Sequence, residues 1–425
     1  MSDKESMECL NRCNDLKFID IFAGCGGLSL GLMQAGWKGV FAIEHDVNAF
    51  QTLHDNLVVE GAKKQFSWPN WLPKKALSVT EVLDKYKDEL HHLRGSIDMI
   101  VGGPPCQGFS SAGRRDPNDP RNKLVNSYLE YVRIIEPKVV LIENVRGITQ
   151  DFSESKSESD KINYSKEIID FLEKDYSVYS KVIDTSLFAV PQKRHRFFIV
   201  AIRSDLSNDS DFNFFDRLES DRIPFVSSKG FVSLPISSSD AISDLEISNN
   251  NRIPSRDTAG FEDISYSNPI TLYQRVMHEG SDNNVSDTRL ARHKPEIVSR
   301  FEKIINICHA TDRLNISLSS TLKKSFGLKK NAIRVLDPNN PSPTITSMPD
   351  DLIHYKEPRA LTVRENARLQ SFPDWFSFKG KYTTGGERRK KEVPRFTQVA
   401  NAVPPLMAEA IGLTLLEIIA SAKNV

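Results

Sequence analysis

The order of apolar and polar positions from Leu16 onward predicts strands and helices in alternation. Lys17 to Phe22 is β-rich, Gly24, Gly26 and Gly27 break the run, Leu28 to Ala35 has helical apolar spacing, and Gly36 stands where a helix C-cap belongs. Val40 to Glu44 reads as the second strand. Further strands are predicted over Ile97 to Val101, Lys138 to Ile142, Tyr179 to Asp184 and Arg196 to Ile202, with helical stretches at Leu124 to Ile135 and Lys161 to Lys174. Strands alternating with helices of this length predict an α/β fold built on a doubly wound, Rossmann-like and mostly parallel sheet.

After Arg203 the periodicity weakens. Residues 205 to 260 are rich in Ser and Asn and hold 10 acidic against 5 basic residues, whereas residues 289 to 334 hold 11 basic against 3 acidic. Such a charge split predicts a separate unit with its own partner. Regularity returns at Pro343 and ends in an apolar helix, Leu406 to Ile419. The expected division is therefore 1–203 for the first part of one domain, 204–332 for a smaller irregular domain, and 333–425 for a segment that completes the first. The longest apolar run, Phe197 to Ile202, is far short of the roughly 20 residues a membrane helix needs, so neither a span nor an export signal is expected.

The five cysteines, Cys9, Cys13, Cys25, Cys106 and Cys308, are odd in number and scattered. That suits a reducing cytoplasm better than a disulfide framework, and no His or Cys follows Cys9 and Cys13 at a ligand spacing, so no metal is expected. Phe22-Ala23-Gly24-Cys25-Gly26-Gly27 ends a strand and opens a helix, where glycine lets the backbone turn back and approach a ligand closely. The dinucleotide fingerprint needs a third glycine where this chain has Ser29, so a pyrophosphate is disfavoured. Glu44 ends the next strand, where a carboxylate can accept ribose hydroxyls. The site fits a nucleoside without a diphosphate, and S-adenosylmethionine is such a ligand.

Cys106 lies in Gly102-Gly103-Pro104-Pro105-Cys106-Gln107, after a buried strand, and so at the carboxyl edge of the sheet where ligands bind. Rigid and permissive backbone on either side favours a nucleophile over a packing residue. Glu143 and Asn144 follow the strand Val139 to Ile142 at the same edge. In Gln192-Lys193-Arg194-His195-Arg196 the two arginines alternate at the start of a strand, which predicts that they face the same way.

Together these residues resemble the cytosine-5 DNA methyltransferase family, and the resemblance runs through nearly the whole chain in the family's order. Phe22 to Gly27 is similar to its cofactor loop, Gly103 to Gln107 to its nucleophile loop, Glu143-Asn144-Val145 to its acid motif, and Gln192-x-Arg194-x-Arg196 to its arginine motif. Arg364 to Pro373 and Gln398 to Pro405 resemble its two C-terminal blocks. The resemblance implies S-adenosylmethionine as methyl donor, with Phe22 stacked on adenine, Ala23, Gly24, Gly26 and Gly27 around the methionine part, Glu44 and His45 at the ribose, and Asn401, Ala402 and Val403 closing the methionine side. It further implies that Cys106 attacks carbon 6 of a flipped-out cytosine, Glu143 holds N3 and the amine, and Arg196 holds O2. Arg194, Pro105 and Asn144 would support the nucleophile loop, while Gln107, Arg114 and Arg115 would contact DNA. The segment from Arg203 to about Asn331 would read the target sequence. Two departures from the pattern stand out: Ser78-Val79 is the counterpart here of the aspartate that commonly precedes the adenine-edge contact, and Ala400 replaces a glycine.

The chemistry accounts for these groups. Carbon 5 of cytosine is a poor nucleophile until a thiolate adds at carbon 6, and that addition needs a group at N3, for which a carboxyl buried against the base, its pKa raised, is suited. A tRNA methyltransferase on the same scaffold, a catalytically silent DNA-binding relative and a nicotinamide oxidoreductase are the alternatives. The family context implies a monomeric, bacterial, cytoplasmic and nucleoid-associated enzyme acting on duplex DNA, as the protective methylase beside a cognate restriction endonuclease. Against this, 56 basic and 56 acidic residues give zero net charge over 425 residues. The zero is a cancellation, because residues 289 to 334 carry an excess of 8 positive charges and residues 379 to 395 hold 7 basic against 2 acidic. DNA affinity is therefore expected to fall steeply between about 50 and 200 mM salt, and a flat binding constant over that range contradicts the expectation.

Overall fold

The computed structural model describes residues 15–104, 123–149, 152–153, 161–162, 164–206, 211–282, 284–328, 332–384 and 392–422. Two compact units are present, one of Met1–Asp184, His195–Pro224 and Met407–Val425, the other of Thr185–Arg194 and Phe225–Leu406. The second unit thus takes in most of the C-terminal segment that the sequence assigns to the first domain.

The first unit is built on a six-stranded sheet. In chain order its elements are β1 (Lys17–Ile21), α1 (Gly27–Ala35), β2 (Lys38–Ile43), α2 (Val47–Leu57), α3 (Val79–Lys85), β3 (Met99–Gly102), α4 (Lys123–Ile135), β4 (Val139–Val145), α5 (Tyr164–Leu172), β5 (Tyr176–Asp184), β6 (His195–Arg203) and α6 (Phe214–Ser228). The strands lie in the order β2-β1-β3-β4-β6-β5. β2, β1, β3 and β4 are parallel, and β6 runs antiparallel to both β4 and β5. The reversal of β6 has a simple cause: a parallel return needs a crossover of a dozen or more residues, usually a helix, and only residues 185–194 separate β5 from β6. The four parallel strands are apolar runs buried on both faces, as the consecutive pairs Phe18 and Ile19, Phe41 and Ala42, Ile100 and Val101, and Val140 and Leu141 show. α4 covers them with Val125, Tyr128, Val132 and Ile135, spaced three and four apart.

The C-terminal helix Pro405–Ala422 belongs to this core along most of its length. Gly412 sits so close to α1 that a Cβ would come within 2.8 Å of Ala35 Cβ, and Trp37 Nε1 donates to its carbonyl at 2.9 Å. Residues Arg395–Ser421 are long and apolar enough to cross a membrane, but 78% of the most apolar window is buried in the protein, which fits a core helix.

The second unit holds the antiparallel pair β7 (Asn251–Pro254) and β8 (Glu262–Ser265), α7 (Pro295–Ala310), α8 (Val363–Leu369) and α9 (Arg395–Asn401). Its core is ionic as well as apolar. Thr362 caps α8 in a reciprocal box with Glu365, and Glu365 also takes two bonds of 2.8 Å from Arg359. Arg368, fully buried, reaches Asp374 at 2.5 and 2.7 Å and Asp244 at 3.1 Å, and Tyr266 completes the group by donating to Asp244 at 2.7 Å. Burial raises Asp374, but Arg368 and His278 outweigh it and hold its carboxyl down to about 2. Because the folded value lies below the unfolded one, this contribution is present above about pH 4 and is lost as the pH falls toward 2. Arg368→Ala leaves two buried carboxylates without their cation, and a loss of about 3–5 kcal/mol is expected in denaturant unfolding; a loss under about 1 kcal/mol would show that the network does not carry this unit.

Candidate functional site

Strand register brings four of the sequence-predicted positions to one edge of the first unit. Ile21 pairs with both Ile43 and Gly102, and Gly102 pairs with Ile142. The next residue of each strand is Phe22, Glu44, Gly103 and Glu143. They stand side by side because the parallel strands are in register up to this point; β1, β2 and β3 end here, while β4 runs on to Val145.

The glycine turn has the backbone its composition predicts. Phe22, Gly24 and Gly26 all have positive φ, at 70°, 57° and 96°. Gly24 and Gly26 take this at little cost, whereas Phe22, with a side chain, holds a sparsely populated conformation of the kind that gathers at functional sites. The loop is anchored where Phe22 and Ala23 donate to Ile43 O at 3.1 and 3.0 Å. A Cβ on Gly24 would meet nothing within 4 Å, so a ligand has open space there. Gly27 begins α1.

Glu44 is buried, and its carboxylate is fixed by backbone donors: Gly24 N reaches Oε2 at 2.9 Å and Asp46 N reaches Oε1 at 2.7 Å. Each oxygen keeps acceptor capacity, which suits a pair of vicinal hydroxyls. His45 is exposed and lies 3.1 Å from Glu44 Oε1, a bond that raises its imidazole above the ordinary value. Asp46, which drew no attention in the sequence, caps α2 by accepting from Asn48 and Ala49 and so holds the chain that delivers Glu44. Ser78-Val79 also falls beside this edge, because Leu77 N donates to Glu44 O at 2.9 Å. These residues fit a nucleoside with a free ribose.

At the other end of the same edge, Glu143 lies inside β4 and not beyond its end as the sequence predicts, since the strand continues to Val145. Its Oε1 pairs with Arg196 Nε at 2.9 Å, and the two are largely buried. The pair forms because antiparallel β6 enters here, with Val145 opposite Arg196. Gly103 packs closely at this point: a Cβ would stand 3.3 Å from Glu143 Oε2, so the carboxylate would have to give by a few tenths of an ångström. Gly102 is tighter still, with its Cβ position 1.9 Å from Ile21 O. Asn144 Nδ2 donates to Pro104 O at 3.0 Å and ties β4 to the stretch leading to Cys106. Pro105, Cys106, Gln107, Arg114 and Arg115 lie outside the described residues.

The expectation that Arg194 and Arg196 both stand at the start of one strand is not met. β6 begins at His195, so Arg194 precedes the strand and belongs to the second unit, where it is buried and donates to Ala400 O at 2.6 Å and Ala402 O at 3.4 Å. Gln370 Nε2 donates to Val399 O at 3.1 Å and to Ala402 O at 2.8 Å, while Gln192 Nε2 donates to Gln370 Oε1. Gln192, Arg194 and Gln370 therefore shape the chain that presents Asn401, Ala402 and Val403. Both glutamines stand in motifs the sequence singles out, but nothing in their spacing announces that they meet. Among the described residues no group of three or more His, Cys, Asp or Glu is placed to hold a metal.

Comparison with known proteins shows the family. The model of a family described as C-5 cytosine-specific DNA methylase matches residues 16–417. The type II methyltransferase M.DdeI of Desulfomicrobium norvegicum is 32% identical over 93% of this chain and 88% of its own length, and M.XorII of Xanthomonas oryzae pv. oryzae is 30% identical over 93% and 83%. Among solved structures, a candidate DNA modification methyltransferase encoded within an Escherichia coli prophage superposes with a TM-score of 0.62 at 25% identity, covering 95% of this chain and 99% of that one.

Proposed function

From a chain that belongs to the C-5 cytosine-specific DNA methylase family, we propose an enzyme that transfers a methyl group from S-adenosylmethionine to carbon 5 of a flipped-out cytosine in a specific duplex DNA sequence. The observation that carries this is the shared edge on which a ribose-type carboxylate, Glu44, and a paired acid and guanidinium, Glu143 and Arg196, stand with the Gly103-Pro104 entry to Cys106 between them. Bound at the glycine turn, S-adenosylmethionine supplies an electrophilic methyl group. Phe22, the Gly24 to Gly27 backbone, Glu44 and His45 orient it, and Asn401 to Val403 belong to the same cofactor set.

Cys106, as thiolate, forms a bond to carbon 6 of the cytosine, and the electrons of the C5–C6 double bond become available at carbon 5. Glu143 holds N3 and the exocyclic amine, and Arg196 holds O2, so that the charge displaced into the ring is met by fixed groups. As the methyl bond forms at carbon 5, the bond from that methyl to the donor's sulfur would break and S-adenosylhomocysteine leave; loss of the carbon 5 proton to water then restores the double bond and expels Cys106 as thiolate. Inside a stacked duplex carbon 6 is out of reach, so the base leaves the helix at a cost of a few kcal/mol, with Gln107 filling the gap and Arg114 and Arg115 on phosphates.

The relatives are named type II methyltransferases, which supports a modification methylase of a restriction system; the same reading expects a monomer in the bacterial cytoplasm beside its nucleoid, with a cognate endonuclease as genetic partner. The deciding experiment supplies labelled S-adenosylmethionine with duplex DNA or with tRNA. Label in DNA, located by bisulfite sequencing at carbon 5 of one recurring sequence, is the expected result. Label in tRNA alone overturns the reading.

A further inference from the structure

The two basic segments, 289 to 334 and 379 to 395, meet in the second unit through a stack of rings and guanidinium groups. Arg289 lies between the ring of Phe261, at 4.3 Å, and that of Tyr382, at 3.6 Å; Arg395 covers Tyr382 at 4.2 Å, and Arg292 approaches Phe261 at 5.6 Å. Arg395 is neutralised, with Asp257 at 2.7 Å and Asp287 at 2.9 Å. Its role is to hold Tyr382, whose hydroxyl also donates to Asp257 at 3.0 Å.

Arg289 and Arg292 are treated differently. Among the described residues neither pairs with a carboxylate: Arg289 donates to Thr258 Oγ1 at 3.2 Å and Arg292 to Gly260 O at 3.3 Å. Asp257 and Asp263 act on Arg289 without pairing with it, and burial outweighs them, so the fold gains little stability from this charge. What the stack supplies is a pair of guanidinium groups with few free rotamers and most of their donors unspent. Planar, weakly hydrated and held by rings, such groups suit oxygen acceptors that can be met by two parallel N–H bonds.

We propose that Arg289, held between Phe261 and Tyr382, and Arg292, beside Phe261, form a contact of the second unit with duplex DNA, through phosphate oxygens or the O6 and N7 acceptors of guanine. This rests on the reading of the chain as a DNA methyltransferase and assigns part of its DNA recognition to Phe261, Arg289 and Arg292 acting together with Tyr382 and Arg395.

The test uses the full-length enzyme, Arg292→Ala, Arg289→Lys and Phe261→Leu, with a randomised duplex library read by bisulfite sequencing and with binding measured from 50 to 200 mM salt. A guanine contact appears as a loss of roughly 5- to 150-fold in discrimination at one position of the target. A phosphate contact appears as a salt slope reduced by about 1 with the target unchanged. Either supports the proposal and says which acceptor is met. Variants that keep both the wild-type target and the wild-type salt slope overturn it, including any in which only the melting temperature moves, since a stack that merely packs the fold would do that. Arg292 is exposed, so its variant keeps the test open if the other two fold poorly. If the wild-type enzyme itself methylates no DNA, the functional reading fails first, and the two failures are thereby distinguished.

Discussion

Cys106→Ser is expected to lower methyl transfer to duplex DNA by on the order of 10³-fold or more and to abolish the covalent complex with a duplex carrying 5-fluorocytosine at the target. The reason lies in the nucleophile. A thiol is a few per cent thiolate at neutral pH and attacks well, whereas a hydroxyl offers almost no anion and carbon 6 is a weak electrophile. Fluorine at carbon 5 cannot leave as a proton does, so the enzyme stops with Cys106 still bonded and the adduct survives denaturation. The described cysteines make clear comparisons: Cys25 is pushed up to about 12 by burial, and Cys308 is buried in the apolar cluster of Phe301, Ile304 and Ile333. Neither is placed to react. Cys308→Ser should therefore keep the adduct. An adduct of equal yield with Cys106→Ser would remove Cys106 from the role.

Parts of this site are legible in the sequence because glycine and strand ends report local backbone. Gly24 and Gly26 take positive φ and Gly36 closes α1 at φ 107°, as a turn-helix-cap pattern demands. Glu44 is legible for a related reason, since parallel strands in register put their following residues on one line. The direction of β6 is a matter of connection length, and it could have been read from the ten residues between Asp184 and His195; alternation alone gives no direction. The contacts of Arg194 and Gln370 with residues 399–402, and of Gln192 with Gln370, span separations of up to 208 residues, and no periodicity encodes such meetings. The same holds for Arg289 between Phe261 and Tyr382. In one dimension these are three polar or aromatic positions in irregular chain, and only the folded unit makes them neighbours.

The α8 block shows a further limit. Arg364 to Pro373 resembles a family signature, and a signature invites a reading as chemistry. In the structure Arg364 and Arg368 are fully buried, the first donating to Phe376 O at 2.6 Å and Pro373 O at 3.1 Å, the second bound to Asp374 and Asp244. Their work is to build the second unit. That unit also contains Arg194, the residues around Asn401 and the Arg289 stack, so a defect in the buried network would appear as a loss of function without touching a reacting atom.

Glu143→Gln separates these two kinds of loss. Glutamine has the shape of glutamate, and the site has little room for anything else, because Glu143 is buried against Gly103 and Arg196. What changes is chemical: an amide cannot hold a proton at N3 as the thiolate adds to carbon 6, and its NH₂ group gives Arg196 nothing to pair with on that side. The rate of methyl transfer should fall by about 10²- to 10⁴-fold, the range expected when a positioned acid is lost. Cofactor affinity should stay within about threefold, because Glu44 and the glycine turn keep their own hydrogen bonds, Gly24 N to Glu44 at 2.9 Å among them. Arg196→Lys should be costly for a related reason, since a point charge does not reproduce the guanidinium edge that meets Glu143 Oε1 at 2.9 Å. Because the two residues act on one developing charge, the double variant should lose less than the product of the single losses. A Glu143→Gln enzyme within about threefold of wild type in single-turnover methylation would end the assignment, and equal losses in turnover and cofactor affinity would instead point to damage of the whole sheet edge.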